Sequence, residues 1–321
     1  MPVHKIENDT EEALLRVEHL SQYFKKGRSL NKAVSDVSFS IKKGEVFGLV
    51  GESGCGKTTT GRAIIGLYQP TSGEIWYGGE RIDGLGKRGR KKLASKIQMI
   101  YQDPMSSLDP RMTVYDIIAE GLLIRGERDR KYLDDKVYGI LDLVGLTKEH
   151  AARYPHEFSG GQRQRIGIAR AVVMEPELII ADEPVSALDV SVQAQVINLL
   201  NDLRQRLGLT ILFVAHDLSV VKYFSDRIGV MYFGRLVELA ASEELFEHPL
   251  HPYTRSLLSA IPLPDPVFEK KRQRQVYRPG EDGDPDHLGE DTELLEVRSG
   301  HFVRCTEKVR ESLNGELNES L

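Results

Sequence analysis

A phosphate-binding pattern stands out in the segment 51–58, which reads GESGCGKT. The pattern G-x-x-x-x-G-K-T is specific only when a strand precedes it and a helix follows it. Here the apolar run 46–50 predicts a short buried strand, and the residues after the loop predict a helix to about Leu67. Glycines let backbone N–H groups and the helix N-terminus approach an anion closely. The segment therefore predicts nucleotide binding, with Lys57 reaching the β- and γ-phosphates and the Thr58 hydroxyl holding Mg²⁺.

Two adjacent carboxylates, Asp182 and Glu183, follow the apolar run 178–181. In nucleotide hydrolysis one carboxylate holds Mg²⁺, directly or through water, and a second group orients or deprotonates the attacking water. We assign the first role to Asp182 and the second to Glu183. The alternative is a helix N-terminus with an acidic first turn. The phosphate-binding loop in the same chain favours the catalytic interpretation.

Gln102 and His216 each follow a predicted buried strand, over 96–101 and 210–215 respectively. We expect Gln102 to ligate Mg²⁺ and report its presence to the helical region that follows. We expect His216 to hydrogen-bond the γ-phosphate and fix the geometry of Glu183. A histidine after a strand is more often structural, but the other motifs favour the catalytic role here.

Buried strands alternate with helices along most of the chain, which predicts an α/β fold with a largely parallel sheet. The early strands, over 15–20 and 33–41, predict an additional antiparallel layer, and the pattern over about 103–175 predicts a helical subdomain. Ligands of such sheets bind at the carboxyl ends of the strands. The phosphate-binding loop, Gln102, the carboxylate pair and His216 are all expected at such ends.

Composition excludes several classes of protein. The formal net charge of -5 and the pI of about 6.0 argue against a general nucleic-acid binder. The two cysteines, Cys55 and Cys305, are too few for a disulfide framework or a zinc site and are typical of a reducing compartment. No apolar run approaches the ~20 residues that span a bilayer, and the N-terminus lacks a signal-peptide core. We therefore expect a soluble protein that can dock on a membrane protein.

The motifs together resemble an ATPase subunit of an ABC transporter. The most specific element is the signature 158–162, FSGGQ, which ordinary phosphate-loop enzymes lack; Phe158 replaces the commoner leucine. The segment 186–189, SALD, follows in the expected order. The resemblance covers about 14–260 and implies a P-loop NTPase (RecA-like) core.

The resemblance implies two copies facing head to tail, so that the signature of one closes on ATP at the loop of the other. It also implies an adenine-stacking aromatic at the first strand. Phe24 fits that position best and Tyr23 is the alternate, although spacing alone would favour two ordinary strand aromatics. The implied ATP-binding residues are Phe24, Tyr23, Gly51, Ser53, Gly54, Cys55, Gly56, Lys57, Thr58, Thr59, Ser159, Gly160, Gly161, Gln162 and Asp189. The implied Mg²⁺ ligands are Thr58, Gln102 and Asp182, and the implied catalytic residues are Glu183, His216 and Gln102.

The segments 247–258 and 260–266 resemble the region after the ATPase core in dipeptide and oligopeptide importers, of the F-type subunit. A C-terminal extension over 261–321 is expected, with an irregular arm over 262–300 because that stretch is rich in Pro, Gly, Asp and Glu. Many relatives bind an iron–sulfur cluster in this extension, but Cys305 is the lone cysteine there, so none is expected.

The resemblance implies four partners: a paralogous ATPase in a heterodimer, two transmembrane permeases and an extracytoplasmic substrate-binding protein. No nucleic acid is expected, and the implied location is the cytoplasmic face of the cell membrane. Alternative functions are that of the same ATPase subunit in a nickel or other solute importer, or in an exporter. A soluble ABC protein of translation or DNA repair is disfavoured because the chain has one phosphate-binding loop, one signature and no heptad run.

Overall fold

A computed structural model describes residues 13–27, 29–261, 275–278 and 292–318 of the chain. It divides into two compact units. The first unit comprises the described residues within 1–42, 46–83 and 215–321, and the second comprises 43–45 and 84–214.

Strands and helices alternate through most of the chain. The strands are β1 (Ala13–Lys26), β2 (Ser29–Lys42), β3 (Val46–Val50), β4 (Ser72–Tyr77), β5 (Glu80–Arg81), β6 (Ile97–Ile100), β7 (Leu178–Asp182), β8 (Thr210–Ala215), β9 (Arg227–Tyr232), β10 (Arg235–Ala241), β11 (Glu293–Arg298) and β12 (His301–Cys305). The helices are α1 (Lys57–Ile64), α2 (Lys87–Leu93), α3 (Pro104–Ser107), α4 (Val114–Arg125), α5 (Arg130–Leu143), α6 (Gly160–Val172), α7 (Val190–Leu207), α8 (Leu218–Phe224), α9 (Ser242–Glu247), α10 (Pro252–Ser259) and α11 (Glu307–Asn318), with short 3-10 turns at Lys148–Ala152 and Pro155–Glu157.

The first unit contains an antiparallel layer and the strand that leads into the phosphate-binding loop. The antiparallel layer has the strand order β2-β1-β4-β5, as the early strands predict. In the same unit β3 pairs in parallel with β9, with Val50 opposite Val230. All five residues of β3 are buried, so the strand that precedes the loop is anchored in the core.

The second unit contains three parallel strands in the order β8-β7-β6. β7 is buried along its whole length, which explains its continuous apolar sequence before Asp182. Helices α3 to α6 lie between β6 and β7, within the range predicted to be a helical subdomain. The exact limits of that subdomain and of the 14–260 domain stay predictions.

One sequence-based expectation about the C-terminal extension is wrong. An irregular arm was expected over 262–300, but β11 and β12 form an antiparallel hairpin, and Val303 of β12 pairs with Glu238 of β10. Leu295 and Val297 are buried on alternate positions of β11, a period-two pattern masked by the acidic composition around it. Residues 262–274 and 279–291 of the expected arm lie outside the described residues.

Within the described residues, no helix combines the length and apolar character that crossing a bilayer requires.

Candidate nucleotide site

The phosphate-binding loop connects β3 to α1, and two of its glycines are required by close packing. A Cβ on Gly51 (φ 149) would lie 2.1 Å from the carbonyl oxygen of Met231, and one on Gly56 (φ 108) would lie 2.3 Å from that of Ala33. Neither neighbour can retreat easily, because both atoms belong to backbone. Gly54 (φ 83) differs, since a Cβ there would meet nothing within 4 Å. Its conformation still favours glycine, and its open side leaves room for a phosphate.

Lys57 is held by the loop itself. Its side chain is 3 % exposed, and Nζ donates to the carbonyl oxygens of Gly51 at 2.7 Å and Glu52 at 2.9 Å. A buried ammonium needs such partners, because burial without them would disfavour its charge. Cys55 Sγ lies 3.8 Å from the same Nζ, and burial raises the pKa of the Cys55 thiol. The cation is thus already placed among the backbone groups of the loop.

The start of α1 has the features of an anion site. Gly56 is its N-cap and carries no side chain that could cap the helix, so the N-terminal N–H groups can approach an anion closely. Ser53 is exposed on the loop, and Thr58 and Thr59 are half-buried in the first helical turn. Together with the loop amides, these groups can bind a phosphate chain.

The two candidate adenine-stacking rings lie at the end of β1, in the same unit as the loop. Phe24 contacts Tyr68 edge-to-face, with ring centroids 5.2 Å apart. The Tyr23 ring faces Lys32 Nζ at 5.8 Å. Both rings are half-buried, so each keeps surface that a base could stack on.

His216 directly follows β8, and its side chain is exposed. The next residue, Asp217, caps α8 by accepting hydrogen bonds from the backbone N–H of Ser219 at 2.8 Å and from its hydroxyl at 2.6 Å. Asp217 therefore caps the helix that begins just after His216, and the catalytic role of His216 stays a prediction.

In the second unit the structure brings Gln102 and Glu183 together. Gln102 Nε2 donates to Glu183 Oε2 at 2.9 Å and to the Ser186 hydroxyl at 3.4 Å. Gln102 follows β6 and Glu183 follows β7, so adjacent parallel strands deliver both side chains. Asp182 is the last residue of β7 and is 1 % exposed. Next to Gln102, the pKa of the Asp103 carboxyl is lowered by the hydrogen bond that it accepts from the backbone N–H of Met105.

The backbone of Glu183 is in the left-handed region, with φ 46. Such a conformation costs about 1–3 kcal/mol for a residue with a side chain and persists only when neighbours enforce it. Here the Glu183 N–H donates to the Val214 carbonyl oxygen at 2.9 Å, and Ser186 donates its N–H and hydroxyl to the Glu183 carbonyl oxygen at 3.2 and 3.1 Å. These hydrogen bonds therefore hold the strained backbone and fix where the Glu183 side chain leaves the strand.

The signature begins α6. Ser159 and Gln162 form a reciprocal capping box: the Gln162 N–H donates to Ser159 Oγ at 3.3 Å, and the Ser159 N–H donates to Gln162 Oε1 at 3.0 Å. Gly161 packs closely on α7, since a Cβ there would lie 2.5 Å from Val192 Cγ1. A Cβ on Gly160 would lie 3.6 Å from Leu188, and Asp189 is the exposed N-cap of α7. The signature thus packs on Leu188 and Val192, which flank Asp189 in the sequence.

Sequence reasoning missed two residues that contact these elements. Tyr253 of α10 accepts a hydrogen bond at its hydroxyl from the backbone N–H of Glu52, at 3.2 Å. Arg170 of α6 donates to the Ser107 carbonyl oxygen and lies over the Tyr101 ring at 5.7 Å, so it connects the signature helix to both sides of the Gln102 segment. No local pattern predicts either contact, because both contacts join distant parts of the chain.

A family profile described as "ABC transporter" matches residues 34–186, and one described as "Oligopeptide/dipeptide transporter, C-terminal region" matches 237–286. The chain is 62 % identical over 300 residues to the oligopeptide transport ATP-binding protein OppF of Bacillus subtilis (strain 168), covering 92 % of this chain and 97 % of that protein. It is 51 % identical over 305 residues to the dipeptide transport ATP-binding protein DppF of Lactococcus lactis subsp. cremoris (strain MG1363), covering 93 % and 96 %.

A solved structure of similar fold is a dimeric ATP-binding cassette in a post-hydrolysis state with ADP and Pi. Its TM-score is 0.65 at 28 % identity, over 71 % of this chain and 98 % of that one. The expected fold class, a P-loop ATPase core with parallel and antiparallel sheets, is therefore confirmed, apart from the irregular extension corrected above. The expected family is confirmed as well. The chain belongs to the ATP-binding proteins of ABC transporters, which are the ATPases of that family. Within the family it belongs to the branch that carries the oligopeptide/dipeptide C-terminal region.

Proposed function

We propose that this chain hydrolyses ATP to energise the uptake of dipeptides or oligopeptides through paired membrane permeases. The observation that carries the peptide part of this proposal is the match of residues 237–286 to the oligopeptide/dipeptide C-terminal region. The names of the OppF and DppF relatives support it. The chain would act as a peripheral subunit at the cytoplasmic face of the membrane.

The loop would bind the phosphates of ATP. Its amides and the N-terminus of α1 would supply donors, and Lys57 would move from its carbonyl partners to the β- and γ-phosphates. The open side of Gly54 supports this fit, because a phosphate needs space that a Cβ would fill. Phe24, with Tyr23 as the alternate, would stack on the adenine.

Mg²⁺ would be held by the Thr58 hydroxyl, the Gln102 amide oxygen and the Asp182 carboxylate. These are oxygen donors, which Mg²⁺ prefers, and such ions usually take one or two carboxylates with substrate phosphates and water. Bound Mg²⁺ would neutralise charge that develops on the phosphates.

Glu183 would act as the general base that orients and deprotonates the attacking water, with Gln102 in contact with its carboxylate. His216 would hydrogen-bond the γ-phosphate. The absence of an iron–sulfur cluster stays a prediction that rests on Cys305 alone.

The complete site would require a second ATPase. Ser159, Gly160, Gly161 and Gln162 would close on ATP bound to the partner's loop, and the N-terminus of α6 would add positive potential there. Asp189, which lies between two residues that pack on the signature, would let the two sites sense each other. The partner is proposed to be a paralogous ATPase, and the full system would include two permeases and an extracytoplasmic binding protein.

Reconstitution tests this function. The chain would be placed in proteoliposomes with two permeases, the paralogous ATPase and the binding protein from the same operon. We expect an oligopeptide to raise phosphate release and to accumulate in the direction of import only with ATP. Glu183→Gln serves as the matched control that should bind ATP without transport. Stimulation by nickel but not by peptide, or transport in the opposite direction, would contradict the proposal.

A further inference from the structure

Tyr253 is a buried residue that contacts the phosphate-binding loop from the C-terminal region of the chain. It lies in the first turn of α10, and its side chain is 2 % exposed. Its hydroxyl oxygen accepts the backbone N–H of Glu52 at 3.2 Å, across 201 residues of sequence. The contact lies within the first unit and joins the C-terminal segment to the second residue of the loop.

The peptide unit between Gly51 and Glu52 is bonded on both of its polar groups. Its C=O accepts Lys57 Nζ at 2.7 Å, and its N–H donates to the Tyr253 hydroxyl at 3.2 Å. Hydrogen bonds on opposite ends of one peptide unit polarise each other and so strengthen each other. Tyr253 therefore helps to orient the carbonyl oxygen that holds the nucleotide-binding lysine.

The position of the Tyr253 ring is fixed by other aromatic rings. Its centroid lies 4.3 Å from that of Tyr232, at the end of β9, and 5.8 Å from that of Tyr277. Burial raises the pKa of the Tyr253 hydroxyl, so the group is neutral at physiological pH. A neutral, packed phenol can accept a backbone N–H in one defined direction.

A second set of bonds ties Tyr253 to the C-terminal hairpin. The N-cap of α10 is His251, whose Nδ1 accepts the backbone N–H of Tyr253 at 3.1 Å. The backbone N–H groups of His251 and Leu250 donate to the carboxylate of Glu238 at 3.0 and 2.8 Å. Glu238 is fully buried in β10, and His301 of β12 contacts it through Nε2 at 2.8 Å. The hairpin thus orients the carboxylate that holds the start of α10.

We propose that Tyr253 is a positioning residue for the phosphate-binding loop and that His301 of the C-terminal hairpin sets the placement of Tyr253. The C-terminal region would then contribute to nucleotide affinity. The effect on affinity rests on the proposed ATP binding, whereas the effect on the loop itself does not. The two can therefore be tested separately.

The first test is hydrogen exchange of the nucleotide-free protein, read on peptides spanning 50–56. Tyr253→Phe keeps the ring and removes the hydroxyl, so we expect exchange of the Glu52 amide to accelerate about 10-fold because its acceptor is lost. Peptides from β10 should exchange as in the wild type. Tyr223→Phe, which removes a hydroxyl from a side chain 86 % exposed, is the matched control. Unchanged exchange at Glu52 in Tyr253→Phe would overturn the proposal.

The second test is nucleotide affinity, measured by calorimetry, together with the steady-state kinetics. We expect Tyr253→Phe to weaken ATP binding ~3- to 10-fold, the range for one hydrogen bond, and to raise KM while kcat stays within about two-fold. His301→Gln should shift affinity in the same direction by a smaller factor and accelerate exchange of the 50–56 peptides. A wild-type protein that binds no ATP would contradict the proposed function only, since the exchange result would still stand. Normal ATP affinity in both variants would overturn the role assigned to the hairpin.

Discussion

The phosphate-binding loop and the Gln102–Glu183 pair are built in different ways. The loop is held by backbone: Lys57 is 3 % exposed and bonds two carbonyl oxygens, and Gly51 and Gly56 pack against carbonyl groups. The pair is held by side chains: Gln102 is exposed, and its bond to Glu183 joins two groups that can rotate away from each other.

The difference corresponds to two functional needs: a phosphate-binding loop that is formed before the nucleotide binds, and a general base whose side chain can move. Binding of a phosphate chain requires several amides in fixed directions, which a packed loop provides before the nucleotide arrives. A general base must present a carboxylate oxygen to the attacking water, which a side chain that can rotate allows. Three hydrogen bonds hold the Glu183 backbone in its left-handed conformation, whereas its carboxylate accepts a hydrogen bond from the amide of an exposed, rotatable side chain, Gln102. Substitutions in the two regions should therefore separate affinity from turnover.

The largest expected effect is on turnover in Glu183→Gln. Loss of a general base lowers the rate about 10²- to 10⁴-fold, whereas the amide keeps the size of the side chain and its contact with Gln102. Phosphate release at saturating ATP measures the effect. Glu177→Gln is the matched control, because Glu177 lies just before the other end of the same strand and pairs with Lys96 at 3.3 Å near the surface. Turnover of Glu183→Gln within two-fold of the wild type would remove Glu183 from its role.

The next effect is on affinity in Lys57→Ala. Hydrogen bonds that involve a charged group contribute about 1.5–3 kcal/mol, so we expect ATP to bind about 10- to 150-fold more weakly. Calorimetric titration measures the change. Lys87→Ala, at the exposed start of α2, should bind ATP like the wild type. Equal affinities for Lys57→Ala and the wild type would contradict the assignment of the loop.

The smallest effect concerns the packing of the signature. Gly161→Ala places a methyl group 2.5 Å from Val192 Cγ1, and such overpacking costs about 1–3 kcal/mol of unfolding free energy. Gly167→Ala lies in the same helix with nothing within 4 Å, so it should stabilise the protein by about 0.5–1 kcal/mol. Urea unfolding compares the two. Adding Val192→Ala should recover part of the loss in Gly161→Ala, and a loss that the second substitution leaves unchanged would place the strain elsewhere.

Local sequence patterns were enough to predict the strands that precede the phosphate-binding loop and Glu183. The apolar run before Gly51 and the run before Asp182 are continuous because their strands are buried, so the sequence alone predicts β3 and β7. The Ser-x-x-Gln spacing of the signature likewise matches the capping box at the start of α6. These features depend on neighbours within a few residues.

What could not be predicted depends on distant contacts. The C-terminal hairpin is stabilised by the pairing of β12 with β10, which are far apart in the sequence. The alternation of buried apolar residues in β11 is hard to recognise because the surrounding sequence is acidic. The positive φ of Glu183 is enforced by Val214, which belongs to another strand. Tyr253 reaches Glu52 across 201 residues, and no spacing rule relates the two positions. Long-range pairing of this kind is set by tertiary packing rather than by local propensity.

The most direct test of this account measures ATP affinity and turnover on the same preparations of the wild type, Lys57→Ala and Glu183→Gln. The separation of binding from hydrolysis predicts that Lys57→Ala loses affinity, whereas Glu183→Gln keeps the wild-type dissociation constant and loses turnover by at least about 10²-fold. A Glu183→Gln protein that loses affinity as strongly as Lys57→Ala would contradict the account.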